Sequence, residues 1–510
     1  MSDQFLLPDG LAPGVAREAL AAHLGVVDGG RYQRVERTFY DTFDGRLHRA
    51  GLALVYSGGR MALVAASSLA EHAGEPWKAP PARLLLTDLP DGRLRELLAP
   101  VVEVRAVMPI VRTRSRLEPL RLLNADEKTV VRLLVEDAAA VRPRAPLRSR
   151  VHVLPVRGYE KAAARLRRSL ERDLGLVAAA TPLQDEAVTA AGGAPGGVSS
   201  KLGLVLRPGL RADAAAVQVL QRLHAAIEAN LPGTLADVDS EFLHDLRVAV
   251  RRTRALQREL RGVFPPGELA RFRDGFRWLQ AVTGPTRDLD VYLLEFERFR
   301  TALPDGAHVD LDPLERLLAD RRSFERRRMV RALRSERART LLAGWAAFLD
   351  GLVELPTDER PDAARPIREV AGARIARVYR RMVKLGDSIE EDGPPEALHE
   401  LRKQGKELRY LLEFFASLFP ARVTGQMVKS LKALQDILGR FQDAQVQATM
   451  LQSLREEVAA REGGAAALMA MGLLVDRLAR DQHEARSHFE ERFAAFASEG
   501  RRALVKETFE

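Results

Sequence analysis

From residue 205 onward the chain is written in a helical period. Apolar residues recur three and four positions apart over long stretches, the spacing that keeps one face of a helix against a core. Turn signals at Phe264-Pro265-Pro266-Gly267 and Gly393-Pro394-Pro395 punctuate them. The earlier part has another texture. Short apolar runs at residues 49–56, 61–64, 130–135 and 151–156 read as strands, with helical stretches such as residues 160–174 between them. Residues 190–200 are Ala, Gly, Pro, Val and Ser only, which reads as a linker. The pattern predicts an α+β N-terminal domain at residues 1–188, a linker at 189–204 and an all-α domain at 205–505.

The all-α part repeats itself. Residues 241–247 (EFLHDLR) match residues 396–402 (EALHELR) at an offset of 155, and the offset then holds without a gap. Arg251 falls on Lys406, Arg254 on Arg409, Arg277 on Lys432, Gln280 on Gln435, Gly284 on Gly439 and Asp288 on Asp443. Farther on, Arg331 and Arg337 fall on Arg486 and Arg492. A register kept this long predicts two copies of one helical bundle unit, at about 205–350 and 365–505.

Wound at about 100° per residue, His244, Arg247, Arg251, Arg254 and Arg258 share an arc about 80° wide. Leu243, Leu246, Val250, Thr253, Leu256 and Leu260 lie beside it. One side of this helix is predicted to pack, and the edge of that side carries a cationic row. The second copy places His399, Arg402, Lys406 and Arg409 beside Leu398, Leu401, Leu408, Leu412 and Phe415. Gly405, within that apolar side, predicts a close approach by another helix. Like charges three and four residues apart repel by a few tenths of a kcal/mol, roughly. A polyanion turns this repulsion into attraction, with Arg chelating phosphate, Lys acting as a point charge and His donating from a ring nitrogen. A single charged row is usually a solvated face; a row duplicated in register points to a ligand. Gly284 and Gly439 are expected to end helices, and Asp288 and Asp443 to cap the next ones. The basic run at 321–339 contains Glu325 and Glu336 and is expected to be mostly solvated surface.

Composition narrows the choice of function. The 510 residues are 46% apolar and 29% charged, with a formal net charge of +9 and an isoelectric point near 9.9. That balance supports packed domains and suits an anionic partner. No cysteine is present, so disulfides, thiolate catalysis and Cys-based zinc sites are excluded. Two histidines without a third ligand at suitable spacing do not form a metal site. The first eight residues, MSDQFLLP, lack the pattern of a signal peptide, and no uncharged apolar run is long enough to span a membrane. The expectation is a cytoplasmic protein without a membrane partner, catalytic residues, metal or cofactor. Aromatic residues do not interleave the rows, Tyr410 alone being near, which argues against base stacking on single-stranded nucleic acid. Electrostatic binding of nucleic acid without sequence preference is the alternative.

The duplicated pattern His-x-x-Arg-x-x-x-Arg/Lys-x-x-Arg, in an all-helical region of about 300 residues, resembles the CHAD domain (conserved histidine α-helical domain). The resemblance implies two bundles related by a pseudo-twofold axis, with basic residues from both lining a central groove for inorganic polyphosphate. It also implies an association with polyphosphate granules. Carried over residue by residue, the contacts are His244, Arg247, Arg251, Arg254, His399, Arg402, Lys406 and Arg409, supported by Arg277 and Lys432. Upstream, Phe39-Tyr40-Asp41-Thr42 followed by residues 47–54 (LHRAGLAL) is similar to the CYTH domain, the triphosphate tunnel fold. That family begins with Glu-x-Glu-x-Lys, whose carboxylates hold the metal. Met1–Gln4 contains no such set, and Val55-Tyr56 stands where an Arg is expected. A metal-dependent triphosphatase needs clustered carboxylates and phosphate-holding cations; Glu136-Asp137 with Arg112, Arg114 and Arg116 are the candidate remnants. The expectation is a degenerate, tunnel-barrel-like domain without hydrolytic activity, the alternative being a triphosphatase or polyphosphatase acting through it.

Overall fold

A computed structural model describes residues 4–8, 13–198, 202–304, 309–390 and 393–510. Met1–Asp3, most of the stretch read above for missing carboxylates, and residues 199–201 of the linker lie outside the described residues. The chain divides into two compact units, Met1–Ser199 and Ser200–Glu510.

The first unit is an antiparallel sheet curled into a half-barrel, consistent with the tunnel-like domain expected. Its centre is Gln33–Thr42, Val107–Leu123, Thr129–Ala140 and Arg150–Pro155, paired antiparallel in the order Gln33–Thr42, Val107–Leu123, Thr129–Ala140, Arg150–Pro155. Leu52–Ser57 and Arg60–Ala65 extend one edge. The run expected to be a strand from residue 49 begins at Leu52, because Arg46–Arg49 forms a helical turn closed by Ala50 and Gly51. Phe5, Leu120, Val131, Leu133, Val135, Val151 and Val153 bury one sheet face under the helices Pro13–Leu24 and Glu160–Arg172, which supply Ala16, Leu20, Leu166 and Leu170. The small-residue stretch is not free along its whole length. Val198 donates from its backbone N–H to the Phe43 carbonyl at 3.0 Å. A Cβ on Gly45, whose φ is +70°, would stand 2.0 Å from the Gly196 carbonyl oxygen. Glycine is therefore required there, and it lets the strand edge and residues 196–198 touch.

The second unit is all-helical, and its helix starts obey the repeat. Ala212–Ala236, Ser240–Glu259 and Pro266–Leu294 open the first copy. Ile367–Gly386, Pro395–Phe415 and Ala421–Ser453 open the second, each beginning 155 residues later. The two copies also meet symmetrically. Ala212 N–H donates to the Arg365 carbonyl at 2.9 Å and Ile367 N–H to the Leu210 carbonyl at 2.8 Å. These flank an antiparallel bridge between Arg211 and Pro366, themselves 155 apart. Such reciprocal contacts place a pseudo-twofold axis at that bridge. One apolar core runs through both copies, joining Leu246, Val250, Leu256 and Phe276 to Leu401, Leu408, Leu412 and Phe441. A second core gathers Phe296, Phe299 and Leu303 with their counterparts Leu451, Leu454 and Val458. No helix among the described residues is long and apolar enough to cross a membrane.

Candidate functional site

The two row helices, Ser240–Glu259 and Pro395–Phe415, start sharply for different reasons. Asp239 caps the first, its Oδ1 accepting from the N–H groups of Glu241 at 2.9 Å and Phe242 at 3.2 Å. The second opens with Pro395 in its first turn, where the missing N–H costs no helical bond. Their apolar sides are buried at Leu243, Leu246, Val250 and Leu256, and at Leu398, Leu401, Leu408 and Leu412. Gly405 is buried, but the close approach expected there does not require glycine, since a Cβ would meet Gln435 Nε2 at 3.4 Å and Met382 Cε at 3.5 Å, ordinary contact distances.

The centre of the site is formed by Arg247 and Arg251 from the first copy and Arg402 and Lys406 from the second. Lys406 lies in the field of both Arg402 and Arg251, so cations at matching positions of the two copies face each other. Burial, reinforced by these two arginines and opposed by Asp443, pushes the Lys406 ammonium down to about 8. Arg247 donates from Nη1 to the Gln280 carbonyl at 2.8 Å and to Thr283 Oγ1 at 3.0 Å. Burial pushes this guanidinium down too, with Asp288 opposing. Arg251 is different. Its Nε is buried with no hydrogen-bond partner among the described residues, an arrangement that costs about 1–3 kcal/mol unless a ligand accepts the bond. No ion pair to Arg251 or Lys406 occurs among the described residues.

Around this centre the predicted row is modified. Arg254 donates to Gln280 Oε1 and lies in the field of Arg277, Arg258 and Arg273, so Arg277 joins the first-copy patch. Arg409 is held by Glu413 at 2.7 Å. Arg258 is taken by Glu259 at 2.9 Å and by Glu407 at 2.7 Å. The carboxylates of Glu259 and Glu407 thus close the end of the row. His399 Nδ1 meets Gln442 Oε1 at 2.5 Å on an exposed face. His244 is half-buried in the first turns of its helix, and Lys432 is exposed on Ala421–Ser453.

One reading of the sequence is corrected. Gly284 and Asp288 lie inside Pro266–Leu294, and Gly439 and Asp443 inside Ala421–Ser453; they neither end nor cap helices. The first helix continues through Pro285 without a break, and the neighbouring Gln280 carbonyl is bound by Arg247 and Thr283. The aspartates instead serve the cationic centre. Arg402 Nη2 pairs with Asp443 Oδ1 at 3.1 Å, and Asp288 faces Arg247, Arg287 and Arg251. The charged residues of the basic run are mostly exposed, as expected, and the run is anchored at two arginines. Arg322 binds Asp237 at 2.7 Å and Asp290 at 2.5 Å, and Arg326 binds Asp237 at 3.0 Å, tying Asp312–Leu333 to the end of Ala212–Ala236.

In the half-barrel the candidate remnants divide, the exposed Asp137 standing in register with Arg116 on the outer face and Glu136 on the inner one. Arg112, Arg114 and Arg116 alternate with the buried Thr113, Ser115 and Leu117, and point outward. They pair with Glu36 at 3.4 and 3.2 Å and with Glu118 at 2.9 Å. Glu136 is fully buried on the inner side, where a cavity of about 320 Å³ is lined by Arg37, Arg60 and His152. Both of its oxygens are used, by Arg37 at 2.5 Å and His152 at 2.5 Å. These contacts hold its carboxyl well below the usual range against the opposing effect of burial. No group of three or more His, Asp or Glu that could hold a metal ion occurs among the described residues. These residues do not fit the metal of the tunnel family.

Comparison with known proteins bears on the helical unit. The family model of the CHAD domain matches residues 218–452. Uncharacterized proteins from two strains of Mycobacterium tuberculosis, CDC 1551 and H37Rv, are each 29% identical over 229 residues, covering 44% of this chain and 42% of theirs. The chain thus spans less than half the length of these relatives. Among solved structures, the CHAD domain from the plant Ricinus communis is 23% identical, covering 57% of this chain and 94% of that one at a TM-score of 0.49. PptA from Streptomyces chartreusis is 17% identical, covering 56% and 99% at 0.43. The helical unit with its duplicated cationic row carries a CHAD domain, at residues 218–452.

Proposed function

We propose that the chain is a non-enzymatic inorganic polyphosphate-binding protein, the polyanion lying across the seam where the two row helices meet. The observation that carries this reading is the pairing of Arg251 with Lys406 across the pseudo-twofold. Two like charges, partly desolvated and without an ion-paired acid, are costly in the free protein, and a phosphate oxygen satisfies both. A linear chain of phosphates can continue onto Arg247 and Arg254 on one side and Arg402 and Arg409 on the other, as a symmetric site requires. Binding of this kind would also bring the protein to polyphosphate granules. The absence of hydrolysis is part of the proposal; the engagement of Glu136 by Arg37 and His152 supports it. The nucleic-acid reading is weaker because Tyr410 is packed against Phe414, ring centroids 6.2 Å apart, beneath Arg252, and offers no free face to a base. Competition tests the choice. Equal phosphate concentrations of long-chain polyphosphate are expected to displace single-stranded RNA almost completely. Failure to displace it, or release of orthophosphate during the incubation, would overturn the proposal.

The depressed Lys406 supplies a pH signature. Bound phosphate restores the ammonium, so the bound-state pKa exceeds the free value of about 8. Affinity is therefore full below pH 8 and falls as pH rises, by up to about tenfold per unit for one linked proton. Titrations between pH 7 and 9.5 should show the fall in the parent chain and a nearly flat profile in Lys406→Arg, since arginine stays charged throughout.

A further inference from the structure

Beside the cationic seam runs a second set of contacts whose charges are sign-inverted between the copies. Positions 252 and 258 of the first row helix correspond, at the 155-residue offset, to 407 and 413 of the second. The first copy has Arg at both positions and the second has Glu at both. In the structure the partners cross over. Arg252 Nη2 meets Glu413 Oε2 at 2.6 Å, and Arg258 Nη2 meets Glu407 Oε1 at 2.7 Å. This is the reciprocity of an isologous interface, in which position i meets j and j meets i. Here each half carries only one sign.

The surroundings make the sign matter. Arg252 and Glu407 are each 16% exposed and Glu413 24%, against 48% for Arg258, so solvent screens the Arg252–Glu413 pair less than an open surface pair and the Arg258–Glu407 pair on one side only. Each acid also serves its own neighbourhood, Glu407 binding Arg381 and Glu413 binding Arg409 at 2.7 Å. Arg258 in turn binds Glu259. On the same two helices Arg251 and Lys406 repel across the interface, a force that parts the copies whenever no anion is bound. A first-copy face docked on another first-copy face would oppose arginine to arginine at both positions. Two second-copy faces would oppose glutamate to glutamate. Only unlike faces match.

We propose that Arg252, Arg258, Glu407 and Glu413 form a charge code by which each repeat selects the other, holding the cationic seam together without ligand and rejecting the same repeat of a second chain. The test is a charge swap in the full chain, read by thermal melting in polyphosphate-free buffer. Its outcome is therefore independent of whether polyphosphate is the ligand. R252E/R258E places four carboxylates at the interface, and E407R/E413R places four guanidinium groups there. Each is expected to melt at least about 3 °C below the parent, or to fail to accumulate as folded protein. The variant carrying all four changes restores opposite signs across the interface, though it breaks the side contacts with Glu259, Arg381 and Arg409. It is expected to melt above both double variants. A four-fold variant that does not melt above both doubles, or that fails to fold, overturns the proposal. So does a pair of doubles that melt with the parent.

Discussion

Changing Arg251 and Lys406 together to alanine is expected to lower polyphosphate affinity by about 10²–10⁴-fold, because two charge-assisted contacts of about 1.5–3 kcal/mol each are lost. The two losses should not be independent. Each residue raises the cost of keeping the other charged and desolvated, so a phosphate gains most when both are present. Removing either one first therefore loses both its own contact and the relief of that repulsion. The second removal loses only its own contact. The same argument gives a signature in stability. The double variant loses a mutual repulsion and a buried Nε without a partner, and should melt no lower than the parent. A site built for a ligand commonly shows this opposition between stability and function. Titration calorimetry on both singles and the double, with melting of each, checks affinity, coupling and stability together. Independent, equal effects of the two singles would mean that the residues contact different parts of the ligand and share no seam.

The second large effect is that of salt. Binding that neutralises phosphates releases their condensed counterions, with a slope of about −0.7 per phosphate for a single-stranded polyanion. Arg247, Arg251, Arg402 and Lys406 alone predict a log–log slope near −3. Arg254, Arg277 and Arg409 steepen it towards about −5 if phosphates reach them. Between 50 and 200 mM salt the affinity should therefore fall by about 10²–10³-fold. The first-copy flank should weigh more, because Arg254 is held only by the neutral Gln280 whereas Arg409 already has Glu413. Arg254→Ala is accordingly expected to flatten the slope more than Arg409→Ala. A slope near zero would mean that the ligand is held by something other than charge.

Much of this architecture was legible because a duplication is a measurement repeated within one chain. The 155-residue offset located the second set of helix starts to the residue, and the row at 244, 247, 251 and 254 was visible once, then again at 399, 402, 406 and 409. What the sequence hid was sign and partnership. Asp288 and Asp443 resembled caps because the preceding glycines suggest helix ends, yet Pro266–Leu294 and Ala421–Ser453 run unbroken through both positions. Glu413 lies within the arc, at the place Arg258 holds in the first row, and Glu407 lies outside it; only the two row helices brought alongside show that they answer Arg252 and Arg258. In the half-barrel the longest strand, Val107–Leu123, was passed over because its exposed positions are Arg112, Arg114 and Arg116, which read as charge rather than as half of a two-residue alternation. Arg37, which holds Glu136, carried no local signal at all, since its partner lies 99 residues away.

The account stands most directly on where a polyanion sits. A crystal structure of the full chain grown with a short linear polyphosphate answers that question, with oxygens expected within about 3 Å of both Arg251 and Lys406 and successive phosphates running towards Arg247 and Arg402. Phosphates bound instead to the outward arginines of Val107–Leu123 or along Asp312–Leu333, with the seam left bare, would contradict it.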